Sequence, residues 1–232
     1  MGKAPIVARK EIKEIFGNRT TILMGLAFAI FFSIMYSQSI VSAEGSNISL
    51  DGSIFYLSLA IEIFMAYVST GQIFLLEKRD GVIETLMCAP VSLRQIWANK
   101  AVAGVVPPWL VAIFATLLLS IITSVRSGAV LMPSIADIVH VLFVVPVFIA
   151  VFIGLVGFGQ LLLGMRENRL LNFLLFVPAF GALYGSGYIV ASGLTVSWQY
   201  VAILFASSLV LLGITAYLNR YLSRERIVTT IA

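Results

Sequence analysis

Few residues of this chain could carry chemistry, and the most unusual is a glutamate in an apolar run. Glu62 is the only acidic residue well inside any of the long apolar segments. An ionised carboxylate in hydrocarbon costs at least about 2.5–3.5 kcal/mol, so we expect Glu62 to face protein or water. Side chains around it recur at steps of three and four residues, which places them on one helical stripe: Ser58, Glu62, Met65, Ser69 and Gln72. The stripe either lines a pathway or subunit interface, or only makes hydrogen bonds between helices.

The sequence lacks the sets of residues that other catalytic sites and metal sites require. One cysteine, Cys88, excludes an internal disulfide, and one histidine, His140, leaves no Cys/His cluster with metal-ligand spacing. We interpret His140 as a polar residue of a helix interface. Ser186 lies between two glycines, but a serine nucleophile needs a base, which no nearby residue supplies. The phosphate-binding pattern GxxxxGK[ST] is also absent from the sequence. We therefore expect no catalytic residue, no metal and no cofactor in this chain, and no ATP hydrolysis by it.

The composition of the chain is that of an integral membrane protein. Of its 232 residues, 60% are hydrophobic and 11% are charged, whereas soluble domains have about 25% charged residues. Six apolar segments are each long enough to cross about 30 Å of hydrocarbon as a helix. We predict an all-α membrane protein with a single transmembrane domain over residues 1–232. Its six transmembrane helices are expected at about 21–41, 54–76, 101–123, 138–163, 170–190 and 198–218.

The distribution of basic residues predicts the orientation of these segments. Fourteen of the fifteen lysine and arginine residues lie in the two terminal regions or in the connections that share a side with them. The connections on the opposite side hold only Arg126. Because basic loops stay in the cytoplasm, both termini and residues 77–100 are predicted to be cytoplasmic. The positive net charge then reflects orientation in the membrane and does not indicate a nucleic-acid partner.

Residues 5–16 are predicted to form a short amphipathic helix in the lipid headgroup layer. Its apolar side chains share one face: Ala8, Ile12, Ile15 and Phe16. Its charged side chains lie opposite: Lys10, Lys13 and Glu14. An ordinary charged segment before the first transmembrane helix is the alternative interpretation.

Residues 77–100 form the longest charged interval of the chain and contain a second short amphipathic pattern. Asp80 is a candidate N-cap for a helix that Pro90 ends. Ser92 and Gln95 then fit a capping box at the start of the next helix. The apolar residues of the short helix share one face: Val82, Ile83, Leu86 and Met87. Burying each such side chain contributes about 1.5–3 kcal/mol, so this face is expected either to lie on lipid or to dock on another protein.

The fifth apolar segment contains a pattern that is typical of close helix contacts. Gly181 and Gly185 form a small-xxx-small pair, and Tyr184 and Tyr188 lie near the same face. Together with the Glu62 stripe, this face is a candidate substrate pathway or dimer interface.

Three places in the chain resemble the transmembrane subunit of a type-2 ABC exporter. The segment RKEIKEIFGNRT at residues 9–20 is similar to the amphipathic segment that precedes the first span in that family. Residues 178–198 resemble its fifth span and the outer connection that follows. Residues 77–100 resemble its characteristic cytoplasmic loop, and the matching positions are Glu77, Arg79, Gly81, Glu84, Leu86, Pro90, Val91, Ser92 and Lys100.

The resemblance implies a permease subunit in a multi-pass complex of a prokaryotic cell membrane. A second permease subunit, identical or paralogous, would pair with it around the substrate pathway, and membrane lipid would surround both. Two cytosolic ABC ATPase subunits would carry the ATP and Mg. The short helix after Gly81 would be the coupling helix that docks on the ATPase. The ATPase contact would then comprise Glu77, Arg79, Gly81, Val82, Ile83, Glu84, Leu86, Met87 and Pro90.

Two other functions fit the sequence. In the first, the chain is an ion- or proton-coupled secondary carrier or channel in which Glu62 binds the ion. That function predicts transport without ATP, abolished by Glu62→Gln. In the second, the chain is a membrane scaffold that transports nothing. The permease hypothesis instead predicts a copurifying ATPase and ATP-dependent transport.

Overall fold

The structure, a computed structural model, is helical in the part of the chain that it describes, without a strand in that part. The described residues are 12–13, 15–42, 49–82, 92–164, 167–168, 170–171, 173, 177, 181, 184, 188 and 196–221. Five helices are long and apolar enough to cross a membrane: α1 (Arg19–Ser42), α2 (Leu50–Arg79), α3 (Leu93–Ser127), α4 (Ile135–Leu162) and α5 (Trp198–Leu218). The chain is therefore a helical membrane protein, as the sequence predicted.

These five helices cover the predicted segments at 21–41, 54–76, 101–123, 138–163 and 198–218. The predicted segment at 170–190 is described only at isolated helical positions. A sixth crossing therefore stays a prediction, as does the cytoplasmic location of both termini.

Serine side chains begin several of the helices. The Ser49 hydroxyl accepts a hydrogen bond from the Gly52 backbone N–H at 3.0 Å and caps α2. At the start of α3, the Gln95 N–H donates to the Ser92 hydroxyl at 3.3 Å and the Ser92 N–H donates to the Gln95 side chain at 3.4 Å. The predicted capping box is thus confirmed. Asp80, predicted to start the coupling helix, lies instead at the C-terminal end of α2.

Helix α3 is longer than its predicted transmembrane segment. Its 35 residues extend about 50 Å at 1.5 Å per residue, whereas the hydrocarbon core is about 30 Å thick. The helix begins eight residues before the predicted segment at 101–123. Its first two turns therefore project beyond the hydrocarbon and lie beside the end of α2.

Helix α3 lies at the centre of the bundle, since it packs against α1, α2 and α4, while α5 packs on α4. The main core joins buried side chains of α1 to α4 with Ile15. The only described positions of the predicted interfacial helix, 12–13 and 15–16, are helical. Ile15 is buried in the core there, and the rest of that predicted helix lies outside the described residues.

Helices α2 and α4 run parallel and in register over their whole length. Their contacts keep an offset of 82 or 83 residues from one end to the other: Asp51 with Ser134, Ser58 with His140, Phe74 with Gly157 and Lys78 with Gln160. Each helix also contains one π-helical turn, Gly71–Leu76 in α2 and His140–Val144 in α4. A π turn inserts one extra residue. One insertion in each helix leaves the offset equal at both ends.

Glycines allow the helices to approach closely where large side chains cross. A Cβ atom added at Gly157 of α4 would lie 2.5 Å from the ring of Phe74 in α2. One added at Gly104 of α3 would lie 2.7 Å from Ile73, and one at Gly25 of α1 would lie 2.6 Å from Met65. Such small residues at crossings are the usual way in which membrane helices pack tightly.

The contact between Gly157 and Phe74 can be tested with one added methyl group. Gly157→Ala is expected to lower the free energy of unfolding in detergent by about 1–3 kcal/mol, because Phe74 is buried and the core has no space for the Cβ. This loss exceeds the roughly 0.5–1 kcal/mol that alanine gains over glycine in a helix. The measurement is the midpoint of thermal unfolding. Gly213→Ala in α5, where no described atom lies within 4 Å of the added Cβ, is the matched control and should not destabilise. Equal effects at both positions would contradict the packing argument.

The predicted orientation can be tested with the single cysteine of the chain. Cys88 follows the C-terminal end of α2 in the sequence, on the side predicted to be cytoplasmic, so a membrane-impermeant maleimide should label it in inside-out vesicles and not in intact cells. The matched control is Cys88→Ser combined with Val130→Cys. Val130 is exposed in the connection between α3 and α4, and this variant should show the reverse pattern. Labelling of both positions from the same side would contradict the predicted orientation.

Candidate functional site

A buried ion pair joins the two ends of the predicted cytoplasmic loop. The Lys100 Nζ lies 2.6 Å from the Glu77 Oε2, and the side chains are only 3% and 8% exposed, respectively. Glu77 lies in the last turn of α2 and Lys100 in the second turn of α3. Glu77 was predicted to contact an ATPase, and the structure turns its side chain inward against α3.

The next residue, Lys78, ties α2 to α4. Its side chain is fully buried, and its Nζ donates hydrogen bonds to the carbonyl oxygens of Leu163 at 2.6 Å, Leu161 at 3.0 Å and Gln160 at 3.4 Å. These carbonyl groups lie at the C-terminal end of α4, where the last four have no N–H partner within the helix. A lysine ammonium compensates both these carbonyls and the negative end of the helix dipole. Lys78 therefore caps α4 from a neighbouring helix.

Asn168 completes the same cap from the segment that follows α4. Its side-chain amide donates to the Gln160 carbonyl at 2.8 Å and to the Leu163 carbonyl at 3.0 Å. The Glu167 carboxylate accepts a hydrogen bond from the Gly164 backbone N–H at 3.1 Å. We call this set the charged joint: Glu77, Lys78, Lys100 and the carbonyl groups of Gln160, Leu161 and Leu163.

The residues just after the charged joint end α2. Arg79 is exposed and pairs with its neighbour Asp80, with 3.1 Å between Nε and Oδ1. Gly81 has φ +72°, a left-handed conformation that favours glycine and ends α2. Val82 follows, half-buried. The other predicted partner contacts lie outside the described residues: Ile83, Glu84, Leu86, Met87 and Pro90.

The predicted polar stripe of α2 faces the interior of the bundle. Ser58, Glu62 and Ser69 are buried, and Gln72 is half-buried. Two of the four make hydrogen bonds to other helices. The Ser58 hydroxyl lies 3.1 Å from the His140 Nε2 in α4, and the Gln72 amide donates to the Thr21 hydroxyl in α1.

Glu62 differs from these neighbours. It is fully buried, and both of its carboxyl oxygens lack a hydrogen-bond partner among the described residues. The register between α2 and α4, an offset of 82 or 83 residues, places Glu62 level with Val144 and Val145, which are buried and apolar. Helix α4 therefore offers no polar side chain at the level of Glu62.

The predicted face on the fifth segment is not brought together with this stripe. Tyr184 and Tyr188 are 84% and 74% exposed, and Gly181 is exposed with no described atom near its Cβ position. Gly185 lies outside the described residues. The stripe on α2 therefore lies in the interior of this chain, whereas the described residues of the face on the fifth segment are exposed.

Sequence reasoning missed Lys78 and Asp137. Lys78 was counted only as one of the basic residues that set the orientation, yet it is the fully buried one. Asp137 is buried near the opposite end of α4, where its carboxylate accepts from the Ser134 hydroxyl at 2.8 Å. A lysine directly beside a glutamate at the end of an apolar segment is the only signal in the sequence for Lys78. No group of three or more His, Cys, Asp or Glu side chains in the described part of the chain could hold a metal ion.

Neither a model of a known protein family nor a curated protein matches this chain. Its class rests on the five helices that are long and apolar enough to span a membrane.

Lys78 can be separated from its exposed neighbour by a pair of matched substitutions. Lys78→Met keeps the length of the side chain but removes the ammonium from three carbonyl groups. We expect the free energy of unfolding to fall by about 1.5–3 kcal/mol, the usual contribution of a hydrogen bond to a charged group. Arg79→Met, which removes one exposed charge, should change it by no more than about 0.5 kcal/mol. Thermal unfolding of the two purified variants measures the difference. Equal losses would show that Lys78 does not cap α4.

Proposed function

We propose that the chain is the membrane-spanning permease subunit of an ATP-driven ABC exporter. In this proposal it pairs with a second permease subunit to enclose the substrate pathway. Two cytosolic ATPase subunits supply the ATP and Mg and dock on residues 82–90. The observation that carries the proposal is the ion pair between Glu77 and Lys100, the first and last positions of the loop that resembles the cytoplasmic loop of this family.

The ion pair gives that resemblance a mechanical basis. A loop that transmits force needs fixed ends, since a loop on frayed helix ends would absorb the displacement itself. Breaking a buried ion pair by removing one partner costs about 3–5 kcal/mol. Glu77 and Lys100 therefore hold the two ends of the loop together while the loop is pushed. This matches the role of a coupling element between two helices.

Lys78 extends the effect to a third helix. Because it bonds three carbonyl groups at the end of α4, a displacement of the loop reaches α2, α3 and α4 together. Helices α2 and α3 are each about 45–50 Å long at 1.5 Å per residue, so a small tilt at the inner end moves the outer end as well. In the proposed cycle, ATP closes the ATPase dimer, and this bias shifts the permease between two packings that open to opposite sides.

The secondary-carrier hypothesis is the second candidate, and one observation favours keeping it. Glu62 is a fully buried carboxyl group without a described partner. Intramembrane ionisable residues commonly mark ion or proton pathways. The two functions differ in their energy source, so dependence of transport on ATP decides between them.

The proposal can be tested by purifying the chain from its native membranes in mild detergent. Mass spectrometry should find a P-loop ATPase in the complex, and reconstituted vesicles should transport only with ATP. Glu84→Lys or Leu86→Ser should lower ATPase binding about tenfold or more, because losing one interface anchor costs at least about 1.4 kcal/mol. The variants should unfold at the same temperature as the unmodified chain.

Arg94→Glu is the matched control for these variants. Arg94 is exposed at the start of α3 and is outside the proposed contact, so reversing its charge should leave ATPase binding unchanged. Undiminished binding by well-folded Glu84→Lys and Leu86→Ser variants would contradict the docking role. Transport without ATP that Glu62→Gln abolishes would replace the proposal with the carrier.

A further inference from the structure

We propose that Glu62 is a proton-binding site in the membrane interior, and that protons reach it from the Asp51–Asp137 end of the bundle through His140 and Ser58. The inference goes beyond the proposed function and does not depend on it, since it concerns contacts within this one chain.

The first observation is the isolation of the carboxyl group. Glu62 is fully buried, and neither carboxyl oxygen has a hydrogen-bond partner in the described part of the chain. The described helices that pack against α2 offer few ionisable groups. Helix α1 contributes Arg19 at its first position and Tyr36, α3 has none between Lys100 and Arg126, and α4 contributes only Asp137 and His140.

The positive charges of the bundle lie far from this position. Lys78 is sixteen residues further along α2, which corresponds to about 24 Å, and its ammonium is already bound to the end of α4. A cationic side chain therefore does not neutralise the Glu62 carboxylate within the described structure. Proton binding removes the charge without requiring any further group.

The second observation is a hydrogen-bonded pair of groups, Ser58 one turn before Glu62 on α2 and His140 on α4, that can both accept and donate protons. The Ser58 hydroxyl lies 3.1 Å from the His140 Nε2 and 2.9 Å from the Phe55 carbonyl oxygen. A hydroxyl has a single hydrogen that rotates between acceptors. When it points to Phe55, the imidazole donates to Ser58. When the hydroxyl hydrogen points away from Phe55, Ser58 can donate it to another acceptor.

The spacing on α2 brings Ser58 within reach of Glu62. Residues four apart on a helix lie on the same face with their Cβ atoms about 5–6 Å apart. The two side chains make no direct hydrogen bond, so in this proposal a single water molecule bridges the hydroxyl and the carboxyl group. Both side chains are buried on the same face of the helix.

The third observation is a polar entrance at the other end of the α2–α4 pair. The Ser134 backbone N–H donates to the Asp51 carboxylate at 3.3 Å, and the Ser134 hydroxyl donates to Asp137 at 2.8 Å. Asp137 lies one helical turn before His140 on α4. The His140 Nδ1 and the Asp137 Oδ1 both lack a hydrogen-bond partner among the described residues, so each has a free position for the incoming proton.

The transfer conserves every atom except the proton itself. The proton adds to the His140 Nδ1, and the Nε2 hydrogen passes to Ser58 Oγ. The original Ser58 hydrogen then passes to the bridging water, which gives one of its own hydrogens to the Glu62 carboxylate. His140 and Ser58 finish with the same number of hydrogens as before, and Glu62 becomes a neutral carboxylic acid.

A metal cation fits this position less well than a proton. The described residues contain no group of three acidic, histidine or cysteine side chains. The groups level with Glu62 on α4 are valines, whereas divalent cations need six or more oxygen ligands or a set of soft ligands. Sodium remains a comparison for the experiment.

The experiment compares the infrared spectra of the unmodified full chain and of its variants, each purified and placed in lipid nanodiscs. The unmodified chain should show a C=O stretching band of a protonated carboxyl group at neutral pH. Glu62→Gln should lose this band, and Glu62→Asp, a more conservative change that guards against misfolding, should shift it. Asp80→Asn, at an exposed carboxylate outside the proposed relay, is the control and should retain it.

The relay has its own readout in the rate of hydrogen–deuterium exchange at this band. His140→Phe keeps an aromatic ring beside Phe55, whose ring lies 4.3 Å from that of His140, but removes both nitrogens. Exchange should slow by at least about 100-fold, because a positioned proton-transfer group contributes about 10²–10⁴-fold. An unchanged rate in this variant would overturn the relay.

Three results would overturn the site itself. The first is the absence of a protonated-carboxyl band in the unmodified chain, and the second is its persistence in Glu62→Gln. The third is a carboxylate band that responds to added sodium and not to pH, which would make Glu62 a cation ligand. The measurement needs no ATPase, so its failure would leave the proposed function untouched.

Discussion

Two adjacent residues of opposite charge at the C-terminal end of α2 join three helices of the bundle. Glu77 pairs with Lys100 of α3, and Lys78 bonds the carbonyl groups at the end of α4. Charges at the boundary of a membrane are costly to bury unless each has a partner. Here each partner belongs to a different helix, so compensating the charges also fixes the positions of three helices. Apolar packing alone would allow those helices to slide in lipid, which offers little hydrophobic driving force between them.

Away from the charged joint, α4 contains an irregular backbone turn that is hydrogen-bonded to α3. Pro146 has no N–H for the Leu142 carbonyl, and the turn before it is π-helical, with the Val145 N–H bonded to the His140 carbonyl. The neighbouring Val141 carbonyl accepts a hydrogen bond from the Trp109 indole of α3 at 2.9 Å. A carbonyl group in the π-helical turn of α4 is thus hydrogen-bonded by α3, as backbone groups in hydrocarbon require.

The sequence predicted what depends on local pattern and missed what depends on pairing between distant residues. Five apolar segments, the Ser92–Gln95 capping box and an inward-facing Glu62 all follow from composition or helical spacing. Lys78 could not be assigned, because its acceptors are carbonyl groups about 82 residues away, which no side-chain pattern reveals. Asp80 was assigned to the wrong helix end, since an acidic residue before glycine fits both a start and a stop. The capping box also predicted the start of α3 at Leu93, eight residues before its apolar segment begins.

The distribution of hydrogen bonds also indicates where the bundle can move. Helices α1 to α4 are joined by polar contacts at several levels, including the Ser33 hydroxyl to the Ala115 carbonyl at 3.2 Å and Arg126 to Gln38 at 2.6 Å. Helix α5 has no such hydrogen bond to another helix among the described residues, and it packs on α4 through apolar side chains and the contact of Thr215 with Gly154. Contacts of this kind have no fixed direction, so they resist sliding less than a hydrogen bond does. A force applied at the charged joint would therefore move α1 to α4 as one body against α5. Glu62, Ser58 and His140 all lie within α1 to α4, so the distances between these three side chains would be the same before and after the movement.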